Sequence, residues 1–304
     1  MLDFHRARPE EKREAFADVH AIWPHAADPA VHLVKRLHAV QQSRAEWFVG
    51  RSQNGVEVSC GVYPFTLFGK DNVERQVRGF GAVYTHPRGR GHGYAGELIR
   101  FVRKHYQEAG VEDFILYSDI DPSFYERLGF HRLPSSAFEF SPKDLAADSP
   151  WTLEKTEALV RDPGKLGHDF GLKLSPDDLI WAYAKQDLPL RMTRFQNLKE
   201  NLSYWTLSSL DAGQYQLLMS NIPQDGENWK LFHELVAADC AKSKGDIARG
   251  WRTARSLASE GGTEPQVNDR KDGILMWASQ RGEKDPWFPE ITKKGFLTFP
   301  LFQF

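Results

Sequence analysis

The chain has 304 residues, room for about two domains at the usual ~100–200 residues each. Its 39 basic and 41 acidic residues leave a formal net charge of −2, which argues against a nucleic-acid partner held by bulk positive charge. No apolar run approaches the ~18–20 residues of a membrane span, the opening MLDFHRARPEEKREAF is charged throughout, and Cys60 and Cys240 are the only cysteines; together these predict a soluble, cytoplasmic protein without a disulfide framework.

In chain order, residues 10–22 carry Ala15, Phe16, Val19 and Ile22 at helical spacing, and the pattern stops at Pro24. Residues 30–40 predict a second short helix. The period then changes. Residues 46–51 read as a strand, Asn54-Gly55 as a hairpin turn, and Val56, Val58, Cys60 and Val62 alternate behind it. A further strand at 75–84 leads into a glycine-rich loop, and a helix at 94–109 is closed by Gly110. A short apolar strand at 113–120, a helix at 121–128 ending at Gly129, and a return to strand complete the first half.

After the polar stretch SPKDLAADSP, helices are predicted at 151–160 and 176–185, and strands at 204–207 and 215–220 flank the turn Asp211-Ala212-Gly213. Helices at 228–241 and 247–259, a strand at 273–278 and a final strand ending at Phe304 follow. Three short echoes suggest that the halves repeat. Trp47 and Trp205 lie 158 residues apart, Asp113 and Asp272 159 apart, and GFHRLP at 129–134 is matched by GFLTFP at 295–300. The expected organisation is one domain at 1–145 and a second at 150–304.

The most informative stretch is YTHPRGRGHGYAGELI at 84–99. A strand delivers the chain into a loop with glycines at 89, 91, 93 and 96, and a helix begins directly after it. Glycines let a backbone approach a ligand, and the free N–H groups of a first helical turn, aided by the helix dipole, favour a phosphate. Arg88, Arg90 and His92 add positive charge there. No GxxxxGK[ST] occurs, so a P-loop is excluded. Gly91-x-Gly93-x-x-Gly96, with Asp119 as a ribose-binding acid, matches the dinucleotide fingerprint, which keeps a nicotinamide-dependent oxidoreductase as an alternative. Antiparallel hairpins, rather than a buried parallel strand, precede it.

This segment resembles the coenzyme A loop of the GNAT acetyltransferases, whose motif is Arg or Gln, two residues, Gly, one residue, Gly or Ala. Two registers fit, Arg88-x-x-Gly91-x-Gly93 and Arg90-x-x-Gly93-x-Ala95. Only the second has the family's proline three residues ahead, Pro87, and its apolar pair behind, Leu98-Ile99. The resemblance then implies that Arg90 and the backbone of Gly91, His92, Gly93, Tyr94 and Ala95 cradle a pyrophosphate. It also implies that the strand at Val83, Tyr84 and Thr85 pairs with pantetheine amides. PSFYERLGF at 122–130 looks like the family's FYxxxGF and assigns Tyr125 as general acid. A phenol of pKa ~10 is a donor roughly matched to a thiolate of pKa ~8.5. Ser118 stands where many relatives have an Asn that touches the cofactor. LYSDI at 116–120, followed by FY, a glycine–aromatic pair and PSS, looks like the fungal-type L-lysine N6-acetyltransferases.

The implied architecture is a tandem α/β (α+β) fold, two GNAT-like mixed sheets flanked by helices. Its second copy is read as degenerate, because ARGWRTARS near residue 249 lacks the motif's first glycine and FPEITKKGF has no tyrosine four before Gly295. The aromatic set Trp181, Tyr183, Tyr204, Trp205 and Trp229 reads as core. The implied activity is acetyl-CoA-dependent N-acetylation of a small primary amine, an amino acid such as L-lysine or a polyamine, by direct transfer in a ternary complex. No metal, nucleic acid or membrane partner is expected. A lysine-type amine lies about three pKa units above neutrality, so a base helps, and Glu46, Glu57, His86, Asp119 and the carboxylate of Phe304 all remain open for that role. The Phe304 option follows a looser resemblance to acetyltransferases of the enhanced-intracellular-survival type. A non-catalytic CoA-binding sensor or scaffold is the other alternative.

Overall fold

The computed structural model describes residues 2–69, 73–134, 136–156, 160, 170–184, 186, 189–224, 228–252, 267–271 and 273–294. In the first half β1 (Asp3–Arg6), α1 (Pro9–Asp18) and α2 (Pro29–His38) precede a long meander of β2 (Glu46–Ser52), β3 (Gly55–Phe68) and β4 (Glu74–Thr85). Then come α3 (Tyr94–Glu108), β5 (Asp113–Ser118), the single turn α4 (Ser123–Glu126) and β6 (His131–Arg132). Local chemistry explains most of these boundaries. Asp28 caps α2 by accepting the N–H of Val31 at 2.8 Å, with Pro29 in the first helical position. α3 buries Leu98, Ile99, Val102 and Tyr106 on one face and ends at Gly110, whose φ of +84° suits a left-handed helix stop.

The second half contributes β7 (Ser136–Phe140), β8 (Trp151–Thr156), β9 (Gly171–Lys173), α5 (Pro176–Ala184), β10 (Leu190–Asn197), β11 (Leu202–Asp211) and β12 (Gln214–Ser220). These are followed by α6 (Trp229–Lys242), β13 (Ile247–Arg252), β14 (Val267–Asp269), β15 (Ile274–Ser279) and α7 (Phe288–Lys294). Two predicted helices are strands here. Residues 151–156 pair with β10, and residues 247–252 are held between β12 and β7. Ser149 before Pro150 and Asp246 before Ile247 are both suitable helix caps, but strand pairing overrides that local preference.

The first sheet runs β1-β2-β3-β4-β5-β15-β6, with β9 alongside β3; the second runs β8-β10-β11-β12-β13-β7-β14. Position by position the two orders correspond. Each sheet has its parallel pair at the same place, β4 with β5 and β12 with β13. The fold therefore repeats, but not at an offset of 159. β5 corresponds to β13, and Trp47 on β2 and Trp205 on β11 occupy non-equivalent strands. Asp272, residues 295–300 and Phe304 lie outside the described residues.

The sheets exchange strands. β7, on the N-terminal side of residue 145, pairs with β13 and β14 in the second sheet, while β15 lies between β5 and β6 in the first. All six residues of β15 are buried. One apolar cluster runs across the join, with Tyr63, Leu67 and Ile115 against Trp181, Trp205, Leu207, Met219 and Trp277. Trp229 packs in a separate core beneath α6, so three of the five aromatics read as core are buried there or at the join. Among the described residues no helix is long and apolar enough to cross a membrane.

A buried charge cluster fastens β15. Arg75 Nη1 lies 2.7 Å from Asp285 and 3.5 Å from Asp113, and its guanidinium sits 3.7 Å from the Trp287 ring centre. Trp277 Nε1 donates to Asp113 at 2.9 Å. Burial pushes Asp113 up to about 6 despite Arg75 and Trp277, with Asp285 adding repulsion. Burial raises Asp285 too, but bonds from Arg75, Ser279 and the Trp287 N–H outweigh it and hold that carboxyl low. A raised carboxyl takes up a proton on folding. Its stabilisation is complete below the unfolded value of ~3.9 and is lost as pH rises through the folded value. Denaturation between pH 4 and 6.5 should therefore show wild-type stability falling with pH at this site. Asp113→Asn should flatten that slope; an unchanged slope would contradict the assignment.

Candidate active site

The β3–β4 ladder changes register around one residue. Ser59 faces Tyr84 but Gly61 faces Gly81, so Ala82 and Val83 together oppose Cys60. Ala82 takes φ +49°, a left-handed conformation uncommon for alanine. This bulge re-aims β4. The parallel pairing with β5 extends from Val77–Asp113 to Phe80–Leu116, and there it stops, although β4 continues to Thr85 and β5 to Ser118. The strands part beyond Phe80, and among the described residues the β5-facing edge of residues 81–85 has no strand partner. An extended ligand carrying amides can complete that edge.

At the end of β4 the chain turns through Pro87–Gly89 and enters α3. Gly91 and Gly93 both have φ +80°, and a Cβ added to either would meet no protein atom within 4 Å. The glycines are thus required by backbone conformation, and the space in front of them is open. Gly93 caps α3 without a side chain, and the helix's first bond runs from the Glu97 N–H to the Gly93 carbonyl at 3.2 Å. The N–H groups of residues 93–96 are left pointing outward from the positive end of a 15-residue helix, an arrangement suited to phosphate.

The two arginines of the loop have different jobs. Arg88 Nε donates to Glu57 at 2.9 Å and its Nη2 to the Val56 carbonyl at 2.8 Å, so it is committed to the underside of the loop. Arg90 is exposed, its Nε 3.4 Å from the Thr85 carbonyl. His92 is exposed too and stacks on Tyr94 with ring centres 5.3 Å apart, while Tyr94 and Ala95 are half-buried at the start of α3.

The parted strands open into a cavity of about 310 Å³. Phe80, Gly81, Ala82 and Val83 of β4 form one wall, and Tyr117, Asp119, Ile120 and Tyr125 form another. The third comes from the helical N-terminal segment, with Trp23, His25, Arg36, Ala39, Gln41 and Gln42. Tyr125 sits on α4 and packs against Phe124 and Phe130, with ring centres 4.9 and 6.1 Å away. Burial pushes its hydroxyl up to about 12, helped by nearby Cys60 and Asp119. It is therefore a weaker acid than its sequence context suggests, and it keeps its proton at neutral pH. Burial likewise pushes the Cys60 thiol up, which removes it as a nucleophile.

Not every expected residue reaches this space. Val83 lines it; Tyr84 is largely buried and faces the neighbourhood of Asp18, Arg88 and Arg90, with its hydroxyl raised first by burial and then by Asp18. Ser118 is buried on β5, pairs with Ile274 of β15 and donates its hydroxyl to the Ile120 carbonyl at 2.8 Å. Of the candidate bases among the described residues, Asp119 alone lines the cavity, where it also accepts the Gly273 N–H at 2.7 Å; the Phe304 carboxylate lies outside the described residues. Glu46 accepts from Tyr106, Glu57 is held by Arg88 and Ser52, and His86 accepts the Arg88 N–H. Trp23, His25, Arg36 and Tyr63 were not anticipated. The one sequence signal, for Trp23 and His25 alone, is the polar-aromatic run HAIWPHAAD between two helices. Among the described residues no cluster of three potential metal ligands exists.

Residues 3–133 match the family model of the acetyltransferase (GNAT) domain. The first half of this chain contains a GNAT domain. No curated protein matches the chain. The chain is similar in fold to a GCN5-related N-acetyltransferase from Kribbella flavida, at 14% identity and TM-score 0.64 over 92% of this chain and 72% of that one. A GCN5-related N-acetyltransferase from Anabaena variabilis gives 14% identity and TM-score 0.64 over 91% and 72%. A tandem GNAT protein from the clavulanic acid biosynthesis pathway gives 12% identity and TM-score 0.52 over 92% and 99%. The two-sheet repeat is thus a tandem GNAT-type fold. In the second copy the counterpart of the GNAT loop joins β12 to α6, not residues 248–256 as the offset implied. That connection reads NIPQDGEN, with one glycine and no arginine.

Proposed function

We propose that the chain is an acetyl-CoA-dependent N-acetyltransferase whose chemistry is confined to the first sheet. The observation that carries this reading is the continuity of three features along β4: an outward-facing helix terminus with open glycines, an unpaired strand edge, and a cavity with a protonated tyrosine at its end. Phosphate, extended amide chain and thioester need those three environments in that order. Bound acetyl-CoA would supply an activated acyl group. The backbone of residues 91–95 with Arg90 would hold its pyrophosphate, and the edge of Val83, Tyr84 and Thr85 its amides.

Tyr125 holds a proton at the cavity end of β4 and donates a hydrogen bond to charge developing there; burial makes it a stabilising donor more than a full proton source. Asp119 is placed to attract an ammonium and to accept its proton through water. The acceptor is a small primary amine, in keeping with a cavity of about 310 Å³ and with the resemblance to lysine N6-acetyltransferases. The nicotinamide reading fares less well. Its strand lies between an antiparallel and a parallel neighbour, and its proposed ribose acid, Asp119, is in the cavity beside Tyr125. Calorimetry decides between them: acetyl-CoA should bind and NAD should not, and NAD binding without CoA binding would reverse the conclusion. Binding of CoA with no thiol release from any amine would mark a sensor.

A further inference from the structure

Arg36 is a charged residue on the cavity wall that the proposed chemistry does not use. It is 7% exposed, and α2 brings it beside Tyr63 and Gln42. Its Nη1 donates to His25 Nε2 at 3.2 Å, and its guanidinium lies 5.1 Å from the Phe16 ring centre. Its Nε is buried and has no acceptor. Among the described residues no carboxylate pairs with it. Burial lowers its pKa, and Tyr63 is the one group opposing that shift.

Arg44 takes Asp178 at 2.6 Å and Arg75 takes Asp285 at 2.7 Å. Arg103 and Arg270 are sheltered against aromatic rings and donate to the Leu128 and Gly273 carbonyls, and neither is among the residues lining this cavity. A buried guanidinium without an anion is strongly unfavourable, and one retained at a cavity wall is what an anionic ligand requires. The surroundings also fix its direction. A guanidinium only donates, so His25 Nε2 must be an unprotonated acceptor. The backbone at His25 is held in turn by fully buried His32, whose Nδ1 accepts the His25 backbone N–H at 3.0 Å while its Nε2 bonds the Phe16 carbonyl at 2.9 Å. This is a built support for one arginine fork.

We infer that Arg36 binds the carboxylate of the acceptor, so that the site takes amino acids and rejects the corresponding carboxylate-free amines. The inference rests on the acetyltransferase reading for what happens at the amine, but not for the binding itself. Pyrophosphate is not the anion concerned, because its cradle lies at Gly91–Gly93, at the opposite end of the β4 edge from Phe80. Arg36 at one wall and Asp119 at another give the cavity a cation for a carboxylate and an anion for an ammonium. A polyamine would leave Arg36 without a partner and add repulsion.

The test measures direct binding to the full-length protein, without cofactor, by calorimetry and by tryptophan fluorescence, which reports on Trp23 at the cavity mouth. The probes are the twenty common amino acids and their decarboxylated amines, L-lysine with cadaverine among them. At least one amino acid should bind about 10–100-fold tighter than its decarboxylated partner. Arg36→Gln should erase that preference, and Arg36→Lys should restore part of it. Circular dichroism and acetyl-CoA binding of both variants monitor folding. Equal binding within every pair, no binding by any amino acid, or a preference that survives Arg36→Gln overturns the inference. Failure of wild-type protein to bind acetyl-CoA would instead overturn the acetyltransferase reading and leave the carboxylate result standing.

Discussion

Tyr125→Phe should lower turnover about 100- to 10,000-fold while CoA affinity and melting temperature stay unchanged. The substitution removes one oxygen and keeps the ring, so the contacts with Phe124 and Phe130 persist. Among the described residues the hydroxyl is held by no hydrogen bond, so folding loses nothing when it goes. Its effect must therefore fall on the reacting group at the cavity end of β4. With the phenol raised to about 12, wild-type turnover should show no decline attributable to Tyr125 between pH 7 and 10. Steady-state kinetics combined with calorimetry check all three parts. Turnover within a few-fold of wild type would remove Tyr125 from the mechanism.

Gly93→Asp should lower CoA affinity by more than about 100-fold. Three effects add at this position. A φ of +80° is strained for any residue with a Cβ, by about 1–2 kcal/mol. A Cβ here meets no protein atom within 4 Å, so the new side chain starts into the space where a pyrophosphate would sit. Its charge also opposes the helix dipole's attraction for an anion. Gly93→Asn separates these contributions, because asparagine tolerates the left-handed region and is nearly isosteric but neutral. It should bind CoA with intermediate affinity and melt near wild type. If Asp and Asn variants bind CoA as wild type does, the loop is not the phosphate site.

The loop and Tyr125 were legible because their chemistry is local. Glycines at 91 and 93 announce a left-handed entry to a helix, and that is what the φ angles show. The hairpin at Asn54-Gly55 and the helix stop at Gly110 were readable for the same reason. What failed was non-local. The strand character of residues 274–278 was evident, but nothing in their composition says that they insert between β5 and β6 of the other half. The echoes at an offset near 159 paired Trp47 with Trp205, although the fold places them on non-equivalent strands. ARGWR at 248–252 was read as helix because its partners β12 and β7 are far away in sequence. The third wall of the cavity was hidden too. Arg36 follows Lys35 on a short helix and looks like one of two surface charges, yet it is buried beside Phe16 of α1, on the wall of the cavity.

The most direct measurement is release of free thiol from acetyl-CoA over a panel of primary amines, run in parallel on wild type, Tyr125→Phe and Gly93→Asp. Wild type should release thiol with at least one amine. Gly93→Asp should do so only at far higher cofactor concentration, and Tyr125→Phe should be slow at every cofactor concentration. Thiol release that is equal in all three proteins, or absent from wild type with every amine, would contradict the placement of acetyl transfer along β4.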